Sequence, residues 1–260
     1  MANLGDNNPR AFGDAVSLDA WRTRYDENSG EADLHVNVVF SDGRIGGGIG
    51  SPVRFRLQLL RADVHVVRDA ARVLKIPSSS VLVSNSSSIE RTAKTSLETE
   101  HTGQAKVSLG AANSAEVAGS RKHILRQEVV ETGELEIMRF VSMKTPEGYL
   151  FRIEQATEAP LSGSPWAPST PVLTVKDPHT PRANGEPPEL RIELRCRRED
   201  MHITDIQITE NGKNIHASPN KILAVEQYIK SELLKIGFYV NDISDPFSEV
   251  IIADVVPAEE

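Results

Sequence analysis

Apolar and polar residues alternate along much of this chain. From Val53 to Leu59, Val53, Phe55, Leu57 and Leu59 fall on one face, and Arg54, Arg56 and Gln58 on the other. Successive side chains of a strand point to opposite faces, so a period of two predicts a half-buried strand. The same pattern predicts strands over Leu34 to Phe40, ended by the turn Ser41-Asp42-Gly43, and over Val64 to Val67. Two hairpins follow. His123 to Val130 turns at Thr132-Gly133 into Leu135 to Met143, which turns at Pro146-Glu147-Gly148 into Tyr149 to Ile153.

Near the C-terminus the period changes. Leu190 to Arg198 alternates, with Ile192, Leu194 and Cys196 inward, and Met201 to Thr209 is a second strand. Ile222, Val225, Ile229, Leu233 and Ile236 then recur at helical spacing. Ser218 and Pro219 mark the helix start, and Gly237 its end. Phe238 to Ile243 and Val250 to Val256 return as strands. The pattern predicts an α+β, β-rich fold: an antiparallel β-sandwich or open barrel followed by a small ββαββ unit.

Proline and polar composition divide the chain further. Residues 1–30 are polar and turn-rich, which predicts a loosely ordered segment with Trp21 and Tyr25 docked on the body. Residues 31–157 form the predicted antiparallel β domain, with a long polar hairpin at 84–120. Eight of the chain's 15 prolines fall between Thr157 and Glu189. Each fixes φ and removes a backbone donor, so residues 158–188 are expected to form an extended connector, with Val172 to Val175 able to add an edge strand. Residues 189–260 make the small α+β unit.

Composition narrows the classes. A chain of 260 residues with 39% hydrophobic and 25% charged residues can bury a core, and 5% aromatics leave that core to Val, Ile and Leu. The net charge of −8 argues against nucleic acid and anionic membranes as partners. Cys196 is the only cysteine, so no intrachain disulfide or paired-cysteine site can form. The first 19 residues carry no apolar stretch of signal-peptide length, and no run of 18 apolar residues occurs. These features together lead to the expectation of a soluble, cytoplasmic protein.

Candidate chemistry is sparse, and no catalytic, cofactor or metal site is predicted. Gly46-Gly47-Gly48-Ile49-Gly50-Ser51 lacks the glycine spacing and lysine of phosphate loops and precedes a strand, so it reads as a hairpin connection. Three Asp-x-His pairs occur, Asp63/His65, Asp177/His179 and Asp200/His202, each with two ligands where a metal site needs more. Cys196, on the apolar face of its strand, reads as a core residue. Arg191, Arg195 and Arg197 line the opposite face, joined by Arg198, as the best candidate basic patch. Residues 189–260 nevertheless carry 8 Lys and Arg against 14 Asp and Glu, a net of −6, so a solvated strand face is the expected outcome.

Residues 84–120 stand apart. Twelve of these 37 are Ser or Thr, and none is aromatic. Ala93, Thr95, Leu97 and Thr99 alternate with Lys94, Ser96, Glu98 and Glu100. Beyond Gly103, Ala105, Val107, Leu109 and Ala111 alternate with Gln104, Lys106 and Ser108. A hairpin of this kind can lie on its own domain's sheet, or serve as an arm that joins another subunit by strand addition. The expected function is therefore a non-enzymatic intracellular interaction or assembly protein. Its expected partner is itself or a complex subunit, met through Lys94, Ser96, Glu98, Glu100, Gln104, Lys106 and Ser108. One alternative is a β-pore-forming protein with 91–112 as its membrane-inserting hairpin, which is short of large apolar and aromatic residues for lipid contact. Another is a hydrolase or metal enzyme whose scattered Asp, Glu and His meet only in space.

Overall fold

The computed structural model describes residues 10–48, 51, 53–68, 74–84, 138–177, 190–210, 213–214 and 218–260. The chain divides into two units, residues 1–87 with 136–260, and 88–135. All of the second unit, and with it the expected hairpin at 91–112, lies outside the described residues, as does the strand expected over 123–130.

The first unit is α+β and β-rich, with three sheets and, among the described residues, one α-helix; no sheet closes into a barrel. The first sheet has the order β13-β1-β2-β8, where β1 is Val16–Arg22, β2 Glu31–Phe40, β8 Leu173–Lys176 and β13 Ala258–Glu259. The second has the order β11-β10-β4-β3, with β3 at Gly43–Gly46, β4 at Val53–Leu59, β10 at Met201–Glu210 and β11 at Lys213–Asn214. The third has the order β12-β9-β5-β7-β6, with β5 at Arg61–Arg68, β6 at Met138–Lys144, β7 at Gly148–Gln155, β9 at Leu190–Arg197 and β12 at Glu249–Val255.

Strand β4 buries the four residues its alternation predicts, Val53, Phe55, Leu57 and Leu59. In β9, Ile192, Leu194 and Cys196 face the core. The helix α1, Ser218–Lys235, lies against β4 and β10 and buries Val225, Ile229 and Leu233, while Tyr228 meets Phe55 edge-on at 5.8 Å. Ile222 stays exposed, so the buried stripe starts one turn later than its spacing predicts. Gly237 ends the helix at φ 85°, a conformation open to a residue without Cβ.

The expected division at the proline-rich connector is not a division of this fold. β4 and β5 are one long strand bent at Leu60, and β9 and β10 are another, bent at the 3₁₀ turn Arg198–Asp200. The two run antiparallel through both bends. Met201 stands opposite Leu59, Asp63 stands opposite Arg195, and the Leu60 N–H donates to the Asp200 carbonyl at 2.8 Å. Strands from 189–260 thus complete the sheets begun by 53–68. The reason is period: both stretches bury one apolar face, and each covers the other's ladder.

Much of the connector is a strap rather than a spacer. The Leu161 N–H donates to the Leu59 carbonyl, Gly163 and Phe40 exchange backbone bonds at 2.9 Å, and the Trp166 indole donates to the Val36 carbonyl at 2.7 Å. Trp166 also packs against Phe140 and Phe151, which ties β2 to the third sheet. Pro168 lies in the turn that the Thr170 N–H closes on the Ala167 carbonyl at 2.9 Å, and Leu161, Trp166 and Val172 are the buried anchors of this stretch.

Two other expectations are corrected. The described part of 1–30 is ordered, because Val16, Leu18 and Ala20 alternate into the core and β1 pairs along its length with β2. Phe238 to Ile243 is not a strand. Asp242 accepts hydrogen bonds from the Ser244 N–H and hydroxyl, folding the backbone into a turn that still buries Val240 and Ile243.

Candidate functional site

The outer face of the third sheet brings together charged residues that lie far apart in the sequence. Register does this. Asp63 on β5 stands opposite Arg152 on β7 and Arg195 on β9, so the three form one row across the face. Glu193 and Arg191 follow on the same side of β9, with Asp254 of β12 opposite Glu193. A cavity of about 330 Å³ opens over this face, bordered by Arg61, Asp63, Arg152, Arg195, Asp200 and Glu249, with the exposed ring of Phe247 at its edge.

Nearly every charge here has an opposite neighbour. Arg152 grips Asp63 through two bonds of 3.0 Å, and that hydrogen bonding raises the guanidinium pKa above its ordinary value. Arg195 bonds Glu193 at 2.8 Å and Glu249 at 3.3 Å. Arg191 meets Asp254 at 3.1 Å, Arg197 meets Glu199 at 3.3 Å, and Arg198 leaves the face to pair with Glu226 of α1 at 3.3 Å. The four arginines of the candidate basic patch are therefore each paired with a carboxylate, Arg191 and Arg195 sharing Glu193. Glu193 and Asp254 are buried, and burial raises the Asp254 carboxyl. The opposite charges of this face are thus balanced locally.

His65 lies on the same face. Its Nε2 has no hydrogen-bond partner among the described residues and stands 3.8 Å from Glu249. Burial and the nearby Arg195 lower its pKa, so the ring is neutral at pH 7. Its partner in the Asp-x-His pair, Asp63, is held by Arg152. Asp200 borders the cavity with its pKa raised by burial, whereas His202 is exposed. Asp177 is buried, and His179 lies outside the described residues. Among the described residues no group of three or more His, Cys, Asp and Glu has the placement of a metal site. The Cys196 thiol is buried on the core side, which pushes its pKa well up and away from nucleophilic use.

Gly46 and Gly47 turn the β3–β4 hairpin with φ of 78° and 76°, and a Cβ on Gly46 would sit 2.1 Å from the Val53 carbonyl oxygen. The glycines are there for the turn. Ile49 and Gly50 lie outside the described residues, as do the expected interaction residues Lys94, Ser96, Glu98, Glu100, Gln104, Lys106 and Ser108.

The hairpin expected from Leu135 to Met143 into Tyr149 to Ile153 is β6 paired with β7. Among the described residues β6 is the terminal strand of this sheet, with Val141 and Met143 exposed and Phe140 buried. No protein-family model matches the chain. No curated protein matches it either.

Proposed function

We propose that the protein is a non-enzymatic interaction or assembly protein that joins copies of itself, or a larger complex, by strand addition. One observation supports this most: among the described residues the third sheet ends on a seven-residue strand, β6, with Val141 55% exposed. An unpaired strand edge with apolar side chains gains both backbone hydrogen bonds and burial when another strand adds to it. The cavity face beside it favours the same reading, because most of its charged side chains are paired with one another.

On this reading the stretch containing Lys94, Ser96, Glu98, Glu100, Gln104, Lys106 and Ser108 contributes to the association as an arm. Light scattering over a concentration series tests it. The expected mass exceeds that of one chain. Replacing residues 91–112 by a short Gly-Ser linker is expected to lower the mass while leaving the unfolding transition in place, since shortening a surface excursion costs little closure entropy. A parent that stays monomeric at all concentrations would overturn the proposal. Loss of the unfolding transition would make 91–112 part of the core instead. Dye release from liposomes by the parent, absent in the deletion, would favour the pore reading.

A further inference from the structure

We propose that the cavity on the outer face of the third sheet binds a small organic phosphate, with the phosphoryl group among Arg61, Arg152 and Arg197 and the flat organic part on the ring of Phe247. The site stands apart from the assembly reading above, and its failure would leave that reading untouched.

Register puts the cations together. Asp63 stands opposite Arg152 on one side and Arg195 on the other. Two residues further toward the bend, Arg61 of β5 and Arg197 of β9 project from the same face, because their neighbours Ala62 and Cys196 point into the core. These residues border one opening of about 330 Å³, at the small end of the range for ligand pockets. Arg61 and Arg197 are like charges on neighbouring strands, an arrangement that costs stability and that an anion between them relieves.

Hydrogen-bonding capacity remains where the ion pairs end. A guanidinium carries five N–H donors. Arg61 is 60% exposed and stands 3.9 Å from Glu154, beyond hydrogen-bond range. Arg197 is 52% exposed and gives Glu199 one bond of 3.3 Å. Arg152 gives Nε and Nη2 to Asp63, and its Nη1 has no partner among the described residues. Three carboxylates border the same opening. Asp63 and Glu249 are bonded to Arg152 and Arg195, and burial raises the Asp200 carboxyl, so it holds its charge less readily than an exposed one. One guanidinium fork fills a carboxylate, whereas the terminal oxygens of a phosphate monoester accept from several guanidinium groups at once. The arginine set therefore favours phosphate.

Phe247 supplies the rest of the site. Its ring is 70% exposed at the cavity edge, on a loop that is pinned in place. The Arg198 N–H donates to the Ser248 carbonyl at 3.0 Å, the Glu199 N–H to the Pro246 carbonyl at 2.9 Å, and the Phe247 N–H to the Asp245 carboxylate at 3.0 Å. A ring held beside guanidinium groups suits a ligand whose phosphate is attached to a flat, aromatic body.

Isothermal titration calorimetry of the full chain with phenyl phosphate tests the proposal. Saturable binding at one site per chain is expected, with inorganic phosphate weaker and phenol showing none. Arg61→Gln and Arg197→Gln are each expected to weaken phenyl phosphate at least about tenfold, the loss of one charge-assisted contact. Phe247→Ala is expected to weaken phenyl phosphate and to leave inorganic phosphate unchanged. Arg139→Gln, on the same face outside the cavity, is expected to change neither. All four side chains are exposed, so the unfolding midpoints are expected to match that of the parent. If an arginine variant does not fold, the contrast between the two probes in Phe247→Ala decides. A titration that does not saturate, or binding unchanged in both arginine variants, would overturn the site. Benzoate bound as tightly as phenyl phosphate would overturn the choice of phosphate.

Discussion

His65 shows how one residue's surroundings become a property of the whole protein. Burial and Arg195 favour its neutral form, so its folded pKa lies below the ordinary histidine value of 6.5. The unfolded chain therefore takes up a proton first as pH falls. The stability contributed by a neutral His65 is complete above about pH 6.5 and declines as pH drops from there toward the lower folded value. His65→Asn is expected to flatten that decline. The measurement is the urea midpoint of parent and variant at pH 7.5 and 5.5, and equal losses in both would show that another group titrates. Little of this was legible in the sequence. Alternation placed Arg191, Arg195 and Arg197 on one face, but Arg152 and Glu249 reach that face from strands 40 or more residues away, and only register brings them together. Glu193 stands between Arg191 and Arg195 in the sequence pattern, and only the structure shows it as the buried centre of two ion pairs.

Helix α1 is the element whose energetics are easiest to separate. Ile229 is fully buried and Ile222 is 53% exposed, although both stand on the predicted stripe. Ile229→Ala is expected to cost about 2–5 kcal/mol through lost burial and the cavity left behind. Ile222→Ala should stay within about 0.5 kcal/mol. Chemical denaturation of the two variants checks the contrast, and equal losses would mean that the helix sits elsewhere on the sheet. The elements legible in advance from a clean period were β4, β9 and α1. Those misjudged were masked by composition. Prolines between Thr157 and Glu189 hid the anchors Leu161 and Trp166, and the polar stretch before Val16 hid β1. Phe238 to Ile243 had strand-forming residues, yet the Asp242 turn prevailed.

At the scale of the molecule, strand order interleaves distant parts of the chain. β5 lies between β7 and β9, and β4 pairs with β10. A fragment of residues 1–189 keeps β4 and β5 but lacks β9, β10 and α1. It is expected to show no cooperative urea transition, where the full chain shows one. A fragment that unfolds cooperatively would restore the picture of a self-sufficient first domain. The same interleaving has a consequence during synthesis. A ribosome adding about 5–20 residues per second needs roughly ten seconds to pass from β5 to the end of β9. For that interval Val53, Phe55, Leu57, Val64 and Val66 are in the nascent chain without the strands that complete their sheets. Each newly made molecule thus presents to the cell a sticky intermediate before it presents a folded protein, and its yield depends on what shields that interval.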